Sequence, residues 1–186
     1  SFEALKIIPQ DWPRELLSLI IGSHDPNAQR LCNEVLPVKV FNLSITKPEV
    51  INKTHERMKE WFHDSGGDWK RHYMPRTVMV FLHDDPNFSQ QENDAAADQQ
   101  ARKALSAYWS ALQGTIDPNR IDNAANNALI GSVETIAQQI VARFPKEDRL
   151  MLWFDFFNHD SEHVCNMMRS FAQKVVPRVD ELREGK

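Results

Sequence analysis

His159, Glu162 and His163 stand in the order H-x-x-E-H within FNHDSEHVCNMM, residues 157–168. On a helix that spacing sets two imidazoles one turn apart beside a carboxylate, the way one class of zinc hydrolase holds its metal and activates water. A third protein ligand would have to come from elsewhere, and the downstream glutamates are Glu181 and Glu184, beyond Pro177 in a charged tail. Asp160 and Glu162 equally suit a first helical turn, whose unpaired N–H groups favour negative charge. We therefore read the motif as a helix start and assign it no metal.

A second constellation lies in IIGSHDPNA, Ile20 to Ala28, where a glycine, a serine and a helix start follow an apolar run. The backbone N–H groups of such a turn, the Ser23 hydroxyl and the permissive Gly22 form a candidate anion site, and phosphate is the usual anion. His24 would add a backbone donor and, when protonated, a positive ring. His83, with Asp84 and Asp85, ends a later apolar run, and Trp153 lies in the last one.

Four short runs must position these residues: LLSLIIG (16–22), PVKVFNLS (37–44), RTVMVFLH (76–83) and RLMLWFDF (149–156). They are almost continuously apolar, which suits strands covered on both faces, as in parallel sheets. Helical patterns follow, over residues 28–35, 49–63, 91–112, 133–144 and 161–176, the last stopping at Pro177. Between Thr115 and Ile130 comes additional helical or loop matter, and its asparagine-rich stretch 116–127 reads as the most flexible loop of the chain. Parallel neighbours joined by right-handed crossovers leave two architectures, an open doubly wound sheet or half of an eight-stranded barrel.

The bulk numbers narrow the setting. Of 186 residues, 41% are hydrophobic and 26% charged, a globular balance, and the net charge of −4 with no basic run gives no footprint for nucleic acid. The most apolar window, residues 16–21, is far shorter than the roughly 20 residues that cross a bilayer, so no membrane partner is expected. Cys32 and Cys165 fall in helical segments without C-x-x-C spacing, which points to two thiols in a reducing, cytoplasmic setting.

Four segments in order carry a family resemblance: FEALKIIP (2–9), IIGSHDPNAQRLC (20–32), LIGSVETIAQQIVARF (129–144) and LMLWFDFFNHDSEHVCNMMRSFAQKVVP (150–177). Together they resemble the C-terminal half of the bacterial luciferase-like, flavin-dependent monooxygenases. The resemblance implies a (β/α)8 TIM barrel, with residues 1–186 supplying strands 5–8 and the N-terminal half lying outside this sequence. It implies FMN, or less often F420, with Gly22, Ser23 and His24 at the flavin phosphate, His24 standing where that family has a second serine. His83, Trp153 and His159 become substrate-pocket candidates, and the catalytic residues stay unassigned. Further implications are O₂, a small organic substrate, reduced flavin from a flavin reductase or NAD(P)H, and a homo-oligomer. The competing expectation is a non-catalytic flavin-binding scaffold in which half-barrels pair between chains.

Overall fold

The computed structural model describes Pro13 and residues 16–113, 118–154 and 160–185. Its elements in order are β1 (Leu19–Ile21), α1 (Pro26–Asn33), β2 (Val38–Val40), α2 (Pro48–Trp61), β3 (Arg76–Leu82), α3 (Gln90–Gln113) and α4 (Pro118–Asn127). Then follow β4 (Leu129–Gly131), α5 (Val133–Arg143), β5 (Leu150–Trp153), α6 (Ser161–Ser170), a wide turn (Phe171–Val175) and α7 (Val176–Glu184).

All strand pairs are parallel, but they form two sheets, β1-β2 and β4-β3-β5. A single bridge, Asn42 to Arg76, joins the end of the first sheet to the start of β3. This overturns the barrel. Alternation along β3 sends Val78, Val80 and Leu82 to one face, against Ile136 and Ile140 of α5 and Met167, Phe171, Val175 and Val179 of the final helices. Met79 and Phe81 go to the other face, where Ala101, Ala104 and Leu105 of α3 and Ile121, Ala124 and Ala125 of α4 cover them. A barrel strand keeps one face for the interior layers; β3 has helices on both, so the chain is α/β with a covered central strand.

Two further expectations change. The stretch 116–127, expected to be a loop, contains α4, because Ile121, Ala124, Ala125 and Ala128 give a helical stripe that packs on α3. The last helix does not stop at Pro177. The preceding turn widens, with Val176 N–H bonding to Phe171 O, and Pro177 sits in the first turn of α7, where it interrupts no needed N–H bond. The widening also serves packing. Met167, Phe171, Val175 and Val179 recur every four residues, a spacing that on an ideal helix drifts about 40° per step away from the core. The wide turn takes up part of that drift, and all four are buried.

Helix starts follow their chemistry. Ser89 and Glu92 make a reciprocal capping box at α3, with Ser89 N–H donating to Glu92 Oε2 at 2.7 Å and Glu92 N–H to Ser89 Oγ at 3.3 Å. At α5 the cap is Ser132, and Asp94 of α3 reaches across, its Oδ1 accepting from Ser132 N–H at 2.6 Å and its Oδ2 from Thr135 Oγ1 at 2.9 Å. Gly131 allows this approach. Its φ is +144°, and a Cβ there would stand 2.7 Å from Asp94 Oδ1. Gly131→Ala is expected to cost about 1–3 kcal/mol of stability. A urea midpoint unchanged from wild type would show that this junction relaxes freely.

Among the described residues no helix is long and apolar enough to cross a membrane. The rims of the sheets carry exposed apolar side chains, including Leu19 and Ile20 on β1 and Met151 and Trp153 on β5.

Candidate functional site

A polar cavity lies at the carboxyl end of β3, the covered central strand. Ligands of parallel α/β sheets commonly bind at such strand ends. It encloses about 320 Å³ between Leu82, His83, Asp84, Asp85 and Pro86 on one side and His163, Asn166, Met167 and Ser170 of α6 on the other. β3 ends here because Asp85 and Pro86 turn the chain: Asn87 donates to Asp85 Oδ1 from its backbone N–H and its side chain, each at 2.9 Å. Those bonds, the backbone one first, hold the Asp85 carboxyl below its usual range.

Asn93 fixes the orientation of His83. The Asn93 Nδ2 faces the carbonyls of Asp85, Phe88 and Ser89 at 3.1–3.2 Å, so its Oδ1 is the acceptor that meets His83 Nδ1 at 2.7 Å and Asp85 N–H at 2.8 Å. His83 Nδ1 must therefore donate, and the neutral ring keeps its lone pair on Nε2. Phe88 stacks on the same ring with centroids 5.5 Å apart. This is the local geometry of an oriented base.

The rest of the cavity is paired. Asp84 Oδ2 accepts from Ser170 Oγ at 3.0 Å and from Lys174 Nζ, which offsets its charge. His163 Nε2 meets the Gln100 side-chain amide, and His163 N–H donates to Asp160 Oδ1 at 3.0 Å, so Asp160 caps α6. Glu162 and His163 of the H-x-x-E-H motif thus lie in the first turn of α6, with Glu162 exposed. His159 lies outside the described residues. Among the described residues, no three His, Cys, Asp or Glu side chains come together as a metal-binding group.

The Gly22–Ser23–His24 turn is braced by its own side chains. Ser23 Oγ accepts from Asp25 N–H at 3.3 Å, and Asp25 Oδ1 accepts from Asn27 N–H at 2.9 Å, placing a carboxylate where an incoming phosphate would sit. Burial, then the nearby Arg57 charge, pushes the His24 imidazole below its ordinary range, so the ring is neutral at neutral pH. His24 Nε2 lies 3.3 Å from Thr46 Oγ1, and its Nδ1 is buried without a partner. Arg57 spends its Nη2 on Gln29 Oε1 and Thr54 Oγ1, each at 3.2 Å. A Cβ at Gly22 would meet open space, so the position does not need glycine for close approach. Arg57 Nε is likewise buried without a partner, so the turn is only partly satisfied by its own side chains.

Of the pocket candidates, His83 lines the polar cavity, whereas Trp153 pairs in register with Met79 and lines a separate apolar cleft. Sequence reasoning missed Asn93, Gln100, Ser170 and Lys174. Asn93 had a usable signal, since it follows the Ser89–Glu92 capping box directly; the others meet the cavity only through tertiary packing.

No protein-family model matches the chain, and no curated protein does. A solved structure does: monooxygenase RslO1 from Streptomyces bottropensis matches with a TM-score of 0.66 at 20% sequence identity. The match covers 91% of this chain and 50% of that one, so this chain spans about half the length of that structure. At that identity the likeness establishes a shared fold.

Proposed function

We propose that this chain is part of an oxygenase-type oxidoreductase that uses O₂ to oxidise a small organic substrate. The observation that carries the reading is the fold likeness to a monooxygenase over 91% of the chain. The cavity at the carboxyl end of β3 supports it by offering an oriented imidazole beside a neutralised carboxylate. We extend the proposal to a luciferase-like relationship and to reduced flavin, FMN before F420, supplied by a flavin reductase or NAD(P)H. Bound reduced flavin would supply the electrons that activate O₂.

In this reading His83 Nε2 takes the proton of a substrate hydroxyl or activated carbon and later returns it, while Asn93 keeps the ring in one tautomer. Leu82, Pro86 and Met167 give the cavity its apolar walls, which limit water around the reacting atoms. Lys174 and Ser170 hold the Asp84 carboxylate in place at the cavity wall. The Gly22–Ser23–His24 turn has no step in this scheme.

Oxygen uptake tests the proposal. The chain, supplied with reduced FMN and a panel of aldehydes, phenols and cyclic ketones, is expected to consume O₂ with stoichiometric substrate oxidation. Uptake no faster than autoxidation of free reduced flavin, with F420 as the parallel arm, would overturn it.

A further inference from the structure

We propose that the cleft between the α3–α4 pair and the β2–α2 loop binds a planar aromatic ligand carrying one anionic group. Its inner part encloses about 180 Å³ and includes Ile45, Met79, Tyr108, Trp109 and Trp153 in its lining. An adjoining outer part of about 420 Å³ shares Ile45 and Trp109 and adds Lys47, Asn123 and Asn127. Neither lining shares a residue with the His83 cavity, so the inference does not depend on the oxygenase reading.

The chemistry of the walls selects the ligand. Three aromatic rings and a thioether present flat, polarisable surfaces that favour a ring system over a branched aliphatic chain. Trp153 is 44% exposed and Ile45 58% exposed, and both line this cleft, so a bound ring would cover apolar surface there. The polar side is equally specific. Among the described lining residues of both parts, the one formal charge is Lys47, and the asparagine amides of Asn123 and Asn127 lie in the same outer part. Asn127 Nδ2 donates to Asn123 O at 2.9 Å, which braces this rim on α4. An apolar inner chamber opening on a cationic, amide-bearing rim complements an aromatic body with a carboxylate or phenolate at one end.

The probe is 2-naphthoate, titrated into the full chain by calorimetry and tryptophan fluorescence. Saturable one-to-one binding is expected. Lys47→Met should weaken 2-naphthoate about tenfold while leaving neutral 2-methylnaphthalene within about twofold, and Trp153→Ala should weaken both. Circular dichroism of each variant checks the fold. Failure to saturate at millimolar probe by the folded protein would overturn the proposal. So would equal effects of Lys47→Met on the charged and neutral probes, or sedimentation showing that a second copy of the chain occupies the cleft and excludes the probe.

Discussion

Asp148→Ala is expected to remove about 3–5 kcal/mol of folding stability, because it breaks an ion pair from one side and leaves buried cations behind. Asp148 Oδ1 accepts from Arg71 Nε, with the Asp148 side chain only 8% and the Arg71 side chain 16% exposed. Arg76 at the start of β3 is buried as well. Desolvation lowers the affinity of its guanidinium for its proton, the Asp148 charge works against that, and Arg71 repels it. One carboxylate therefore compensates two guanidinium groups where β3 and β5 begin. Arg76 N–H also donates to Arg149 O at 2.9 Å, so the strand pairing depends on the same locus. Stacking of Arg76 over the Phe144 ring, 4.8 Å to the centroid, does not replace a counter-charge. Urea unfolding of wild type, Asp148→Ala and Asp148→Asn reads the effect. A loss below about 1 kcal/mol in both variants would place the pair with exposed ion pairs and refute the argument.

His83→Asn is expected to lower turnover about 10²–10⁴-fold with little change in stability, if the oxygenase reading holds. Asparagine places an amide near the Nδ1 position and so preserves a donor to Asn93 Oδ1, but it has nothing at Nε2. A structural role would show the reverse pattern, with a lowered melting temperature and intact chemistry. The separating readout is the split between kcat and KM, with added imidazole as a rescue. The variant should lose kcat while its KM changes little, and free imidazole should restore part of the rate. A variant that keeps its rate would remove His83 from the reaction.

Much of the architecture was legible because apolar period and capping residues are local signals. The run at residues 76–83 became β3 almost to the residue, and Ser132, Asp25 and the prolines at 26 and 48 marked real helix starts. β4 was not legible: three residues, Leu129–Gly131, show no period, and they are a strand only because β3 lies beside them. α4 was hidden by its asparagines, which obscured a buried stripe of one isoleucine and three alanines. The choice between barrel and layered sheet was beyond sequence period altogether, since an all-apolar strand such as β3 does not reveal what covers each face. The candidate site divided in the same way. His83 at a strand end was readable, whereas its tautomer depends on Asn93, and the self-capped state of the Gly22–His24 turn depends on where the Asp25 carboxylate points.

The wide turn ahead of Pro177 makes the length of the last helix matter more than its composition. It acts as a phase adjuster between two rigid rods. Rewinding residues 171–175 as ordinary α-helix with no residue removed would swing everything downstream through roughly 90°. Arg178, whose Nε donates to Glu134 Oε2 at 2.7 Å, would leave its carboxylate, and Val179 would rotate out of the interior. Removing one residue together with that rewinding would bring both side chains back nearly into phase, so the count and the winding of this segment are tied to each other.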